Sequence, residues 1–182
     1  MAHEFTKYHK MGGAYHWDKQ KAGPDYRAHA EDVAGWIQET PVLDIGGGDG
    51  YICSLIRNAG NDCMVVDNLP YAIELAQEKG QPAVLGSIMD LPGSVTWRRW
   101  GAIYLGDIIE HLDDQEGAVR ACGELTDIMY IATPPEGTGG SYHTHEFNPI
   151  ELEEFMSKLG WVQTKIQIKH HRIFARYEKV TA

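Results

Sequence analysis

The chain has no long apolar run, few cysteines and no basic stripe, and each of these lacks removes a class of function. Nowhere in its 182 residues is there an unbroken apolar run of the length a bilayer-crossing helix needs, about 20 residues, so no membrane partner is expected. No apolar stretch near the N-terminus precedes a small-residue cleavage site, so a secretory leader is not expected either. Cys53, Cys63 and Cys122 share no C-x-x-C spacing and read as core residues of a protein in the reducing cytoplasm. Lys and Arg together number 16 against 26 Asp and Glu, a formal net charge of -10. That balance disfavours nucleic acid as a partner, although a local patch can defy it. Repeats and low-complexity tracts are also missing. With 43% hydrophobic and 23% charged residues, the composition is that of one globular domain with a single core.

From Pro41 onward, short apolar runs alternate with helical patterns, which predicts an α/β sheet with crossover helices. Strands are expected at 42–45, 63–67, 82–85, 101–105 and 128–132. Helices are expected at 51–59, stopped by Gly60-Asn61, from Asn68-Leu69-Pro70 to Gly80, and from a cap at Asp113 to about 125. Asn148-Pro149-Ile150-Glu151 combines a capping residue, a first-turn proline and an acid three residues after the cap, a strong helix start. Leu152, Phe155, Met156 and Leu159 form the apolar face of that helix, and Gly160 ends it. Residues 161–168 and 172–177 read as a hairpin turning near His170-His171, an exposed turn rather than a ligand pair. This antiparallel hairpin would complete a seven-stranded, mostly parallel sheet with helices on both faces. The first forty residues differ. Tyr8, Tyr15, His16 and Trp17 mix with Gly12-Gly13 without a clean period. Residues 1–27 are therefore expected to form an ordered loop or lid that helps shape the substrate site, and 28–182 the single domain. A helix is expected at about 26–38, with Ala30, Val33, Trp36 and Ile37 facing inward.

A strand ending in Gly46-Gly47-Gly48-Asp49-Gly50 and opening into a helix lets backbone approach a ligand closely. Asp67 ends the next strand, where it can accept hydrogen bonds from ribose hydroxyls. A dinucleotide fingerprint starting at Gly46 and Gly48 would need glycine at position 51, which is Tyr51. The run Val42-Leu43-Asp44-Ile45-Gly46-Gly47-Gly48-Asp49-Gly50, with Asp67, instead resembles the first motif of class I S-adenosylmethionine (SAM)-dependent methyltransferases. Gly86-Ser87-Ile88-Met89-Asp90-Leu91-Pro92 resembles their third-strand segment. Trp100-Gly101-Ala102-Ile103-Tyr104-Leu105-Gly106-Asp107-Ile108-Ile109-Glu110-His111-Leu112 resembles the fourth. The resemblance runs from about residue 41 to the C-terminus and implies a Rossmann-like fold with SAM as cofactor. It further implies that Asp44 supports the methionine end, Gly46 and Gly48 line the cofactor and Asp67 holds the ribose, with Asn68, Ser87, Ile88 and Leu105 completing the binding set. The chain departs from the family at Ser87, where an adenine-contacting Asp is frequent. Without the downstream matches, the glycine turn alone would leave tight strand-to-helix packing as an alternative.

Asp107, Glu110 and His111 follow the fourth strand directly, where ligands bind in open α/β sheets. Their D-x-x-E-H spacing resembles the metal motif of ubiquinone-biosynthesis O-methyltransferases and of small-RNA 3′-terminal 2′-O-methyltransferases. In the latter a further histidine comes from a downstream loop, and His143-Thr144-His145-Glu146-Phe147 offers one here. The resemblance implies Asp107, Glu110, His111 and His145 as ligands of a divalent ion such as Mg, Mn, Fe, Co or Zn. Metal-free relatives carry the same Glu-His-Leu, with the acid capping the next helix or touching SAM and the His acting as general base or packing. Glu110 and His111 are the catalytic candidates in either case. Tyr8, Tyr15, His16 and Trp17 either close over the methyl group or pack the N-terminal segment onto the body. The acidic balance favours an O-methyltransferase acting on a small molecule or sugar. A metal-dependent 2′-O-methyltransferase on an RNA 3′ end, an N-methyltransferase and a non-catalytic SAM-binding module are the alternatives.

Overall fold

The computed structural model describes residues 7–91, 93–138 and 143–180. Its centre is a seven-stranded sheet: β1 (Val42–Ile45), β2 (Cys63–Asp67), β3 (Ala83–Leu85), β4 (Ala102–Gly106), β5 (Ile128–Thr133), β6 (Trp161–Lys169) and β7 (Arg172–Lys179). The strand order is β3-β2-β1-β4-β5-β7-β6. β1 to β5 run parallel to one another, and β7 is antiparallel to both β5 and β6. This is the Rossmann-like arrangement expected from the sequence, ending in the expected hairpin. The inner strands are apolar runs because parallel strands are covered on both faces.

Alternation along each strand sorts side chains to two cores. Leu43, Ile45, Ile103, Leu105, Met129 and Ile131 point to one face. There they meet α7 (Gln115–Leu125) and α8 (Pro149–Lys158) through Val119, Cys122, Leu152 and Met156. Val42, Tyr104, Tyr130 and Phe174 point the other way, onto α3 (Pro24–Trp36) and α4 (Tyr51–Asn58). α5 (Pro70–Glu78) also lies on this second face through Ile73 and Ala76.

α8 starts as the sequence predicts: Asn148 Oδ1 accepts from the N–H groups of Ile150 and Glu151, and Glu151 returns a bond from the Asn148 N–H. The cap of α7 is Asp114 rather than Asp113, since the Asp114 carboxylate takes the Gly117 N–H at 2.8 Å. α3 begins at Pro24, because proline with its fixed φ suits the first turn. It therefore crosses the expected lid boundary at residue 27. Ahead of it, the aperiodic segment folds as short turns: α1 (Lys7–Met11), a 3₁₀ turn (Tyr15–Trp17) and α2 (Lys19–Ala22). α6 (Gly93–Thr96) sits between β3 and β4. No helix among the described residues is long and apolar enough to cross a membrane.

Candidate functional site

From β1 the chain crosses to β2 on one side, while β4 lies on the other, so a crevice opens at the carboxyl ends of β1 and β4. Ligands of open α/β sheets bind at such a switch point. The loop after β1 forms one wall. Gly46 and Gly48 adopt φ of 73° and 56°, conformations that side chains rarely take. A side chain at 46 would strike Ile108, and one at 48 would strike the Tyr8 hydroxyl.

Two carboxylates support this wall. Asp44 is 1% exposed, one of its oxygens lacks a hydrogen-bond partner, and burial followed by repulsion from Asp67 raises its pKa to about 7. Asp67 holds the loop, accepting from the Gly48 N–H at 3.0 Å and the Leu69 N–H at 2.9 Å. Burial still pushes the Asp67 pKa upward against those bonds. Neither carboxylate has a cationic side chain within ion-pair distance among the described residues. Asn68 is exposed beside Asp67. Ser87 accepts from the Met89 N–H at 3.2 Å, and Ile88 is buried in the core. The Leu105 side chain is also in the core, so its backbone is what it can present to the crevice. Pro92, at the end of the third-strand motif, lies outside the described residues.

The opposite wall follows β4. Asp107 has a φ of 52° and is clasped by Arg172 from the start of β7, through three hydrogen bonds of 2.6 to 3.0 Å. Glu110 is 1% exposed; Thr133 donates to its Oε2 at 3.0 Å, while Oε1 is buried with no hydrogen bond. Burial, and then the nearby Asp107, raise the Glu110 pKa to about 8. His111 Nε2 lies 3.8 Å from that free oxygen. His143 packs edge-on to His111 with ring centres 4.9 Å apart. Ligand atoms of Glu110, His111 and His143 all fall within 4.8 Å of one another.

The His143 loop is fixed on the Glu110 segment. The Thr144 N–H donates to the Glu110 carbonyl at 2.7 Å, and its hydroxyl donates to the Glu110 and Leu112 carbonyls. Glu146 lies 3.3 Å from His143 Nδ1 and accepts from the Gly137 N–H. The structure thus joins Glu110 and His111 to His143, and not to Asp107 or His145. Asp107 is committed to Arg172. His145 turns to the far side of its loop, against Phe147, where it lines a cleft of about 260 Å³ with Gln115, Phe155 and Lys158. Residues 139–142, which lead into the His143 loop, lie outside the described residues.

The N-terminal segment covers the glycine wall. The buried Asp49 ties this segment down at two points: its N–H donates to the Tyr8 hydroxyl, and its carboxylate accepts from the His16 N–H at 3.1 Å and contacts His16 Nδ1 at 3.0 Å. Trp17 Nε1 donates to the Asp49 carbonyl at 2.9 Å. Asp49, Thr133 and Arg172 escape a sequence reading. For Asp49, an acid inside a glycine loop is a signal; Thr133 and Arg172 have none, because their partners are more than 20 residues away.

Residues 43–126 match a family model described as a methyltransferase domain. The matched segment, from β1 to the end of α7, is thus similar to a methyltransferase domain. No curated protein is similar enough in sequence to count as a relative. Among solved structures, magnesium protoporphyrin IX methyltransferase of Synechocystis with bound S-adenosylhomocysteine (SAH) aligns with a TM-score of 0.73 at 12% identity, over 86% of this chain and 84% of that one. The Burkholderia thailandensis 1,6-didemethyltoxoflavin-N1-methyltransferase, with SAH and its substrate bound, gives 0.73 at 18% identity, covering 97% and 85%. An O-methyltransferase of neocarzinostatin biosynthesis, bound to SAM and a naphthoic acid, gives 0.70 at 21% identity, covering 86% of this chain and 53% of that one. At these identities the likeness is one of fold. The three act on different acceptors, so the shared fold does not identify an acceptor.

Proposed function

We propose that the protein is a cytoplasmic O-methyltransferase that uses SAM to methylate a hydroxyl of a small molecule or sugar, assisted by a divalent metal held by Glu110, His111 and His143. The observation that carries this reading is the buried, unpaired Glu110 oxygen facing two imidazoles beside the cofactor crevice. A buried carboxylate oxygen left unpaired is costly, and a cation is what its surroundings lack. One carboxylate and two imidazoles suit borderline ions such as Zn, Fe, Co or Mn better than Mg. Such an ion would lower the pKa of a bound hydroxyl and orient a diol or catechol.

The chain's own groups do the rest. Asp44, Asp67 and the Gly46–Gly48 backbone hold SAM, and Thr133 and Glu146 orient Glu110 and His143. In the transfer the acceptor oxygen bonds the methyl carbon and the S–C bond breaks to leave SAH; the hydroxyl proton passes to solvent where His111 holds the ion, and to His111 in an ion-free site. Three buried, unpaired cysteines agree with a reducing compartment. The charge of -10 keeps an RNA acceptor second.

Calorimetry on chelator-treated protein tests the reading. SAM is expected to bind without metal, and a divalent ion to bind separately. Glu110→Ala should abolish the metal isotherm and leave SAM affinity nearly unchanged. Equal loss of both would sink the metal assignment, and no SAM binding by the wild type would sink the methyltransferase reading itself.

A further inference from the structure

The two edges of the sheet are unequal. β3 ends one side with three residues. β6 ends the other with nine and carries no proline, and the outer N–H and C=O groups of this strand meet no hydrogen-bond partner among the described residues. A bare edge invites pairing with another chain, and proteins usually blunt it with charge, proline or a bulge. β6 has a bulge between Gln163 and Lys165, which leaves residues 165–169 as a regular ladder of about 17 Å.

Register with β7 sorts the side chains of that ladder. Ile166 lies opposite Ala175 and Ile168 opposite Ile173, both buried in the core that α7 and α8 cover. The two isoleucines continue this face past its cover and stand 38% and 62% exposed. Lys165, Gln167 and Lys169 point the other way, toward α3. There Lys165 Nζ sits 3.6 Å from the centre of the Trp36 ring, and Lys169 Nζ lies 3.0 Å from Asp32. The lysines that could guard the edge are thus folded back, and the isoleucine side of the ladder carries no charge.

The chemistry of this strip selects its occupant. The cations of the hairpin are matched within the chain: Lys165 by the Trp36 ring, Lys169 by Asp32, Arg172 by Asp107, and Arg176 by Glu39 and Glu178. An acidic peptide strand would therefore compete with carboxylates already in place. Residues 155–177 contain no Asp or Glu, so paired β6 strands add no carboxylate repulsion between two copies of a chain of net charge -10. A second copy brings the same uncharged, apolar strip, and two-fold symmetry sets like against like.

We propose that the outer edge of β6 is a self-association surface, where two copies pair antiparallel about a two-fold axis at Gln167 and set Ile166 of each against Ile168 of the other. The ladder joins the two sheets, and the isoleucines bury the strip that the helices leave bare. So short a ladder buries less than the roughly 1,200 Å² of a standard interface. The dimer is therefore weak, with a dissociation constant on the order of tens of micromolar.

Sedimentation velocity on the full chain, from about 1 µM to about 500 µM, reads the association. Wild type is expected to move from 20.4 kDa toward twice that mass. Raising salt from about 0.05 M to about 0.5 M should tighten the dimer, because it screens the net charge and leaves ladder and isoleucines in place. Ile166→Lys combined with Ile168→Lys should weaken association at least about tenfold, with a melting temperature near that of wild type, since both side chains are solvent-facing in the monomer. Val162→Lys, ahead of the bulge and on the opposite face from the isoleucines, should keep the wild-type constant. If the double variant fails to fold, Ile168→Lys alone takes its place, with weaker association expected and an unchanged constant overturning the proposal. A wild type that stays monomeric over the whole range also overturns it, and leaves this edge to a strand of a different protein. So does a dimer that the lysines leave intact or that salt dissolves.

Discussion

Asp44 lies at the end of β1 with its carboxylate in the core and one oxygen unsatisfied. Its pKa rises from 3.8 to about 7, chiefly through burial. Between those values the folded chain binds more protons at this group than the unfolded chain does, so this group lowers stability as pH rises from about 4 to about 7. Asp44→Asn cannot ionise. Its melting temperature relative to wild type is therefore expected to climb across that window and level off above it, the gain at neutral pH being of order 1–3 kcal/mol. The same variant should bind SAM more weakly at every pH. A constant offset between the two melting curves would show that Asp44 does not carry this titration. At this scale the geometry of the glycine loop was legible: Asp44, Gly46, Gly48 and Asp67 stand in one short stretch whose backbone demands are local. The metal candidates were legible only in part. Glu110 and His111 come from one turn, but the choice between His143 and His145 depends on which side of the loop each faces. The Thr144 bonds to Glu110 and Leu112 decide that, and they span more than 30 residues of sequence.

The elements that sequence periodicity exposes are those with a buried face on both sides or a clean stripe. β1, β2, β4 and β5 appear within a residue of expectation because their apolar runs end at glycine, proline or acid signals. α8 was legible from its cap. Asn148→Ala removes the side-chain acceptor of two N–H groups and is expected to destabilise the protein by about 1 kcal/mol. The check is a lower urea midpoint with an unchanged slope. A normal midpoint would mean that the first turn is held by packing of Leu152 alone. Its counterpart at α7 was misplaced by one residue, because two consecutive aspartates offer equal capping chemistry and only the geometry of the turn selects Asp114. The turns before α3 stayed illegible for a deeper reason. They have no stripe of their own and take their shape from Asp49, Gly48 and Arg27 on the body.

That dependence separates the molecule into parts of unequal stability. The sheet and its five larger helices, α3, α4, α5, α7 and α8, share two continuous cores, one on each face. The segment from Lys7 to Ala22 rests on a third, much smaller cluster: Tyr8 and Tyr15 against Ala72 and Leu75 of α5. Beyond it, Trp17 packs on Tyr51, and polar ties run to Asp49 and Arg27. Such a segment can open without unfolding the sheet, since opening exposes few apolar groups and breaks few bonds. Opening also uncovers Gly48, on which a cofactor would have to lie. Amide hydrogen exchange is therefore expected to be fast over residues 7–22 in the ligand-free protein, and orders of magnitude slower in β1, β4 and β5. Added SAM, if it lies on the glycine loop that this segment covers, should slow exchange in 7–22 more than in any other segment remote from that loop. If those amides are already as protected as β1 without ligand, the segment is a fixed wall and SAM must enter from the β4 side. Protection that appears only with SAM would make cofactor binding the event that closes this end of the molecule.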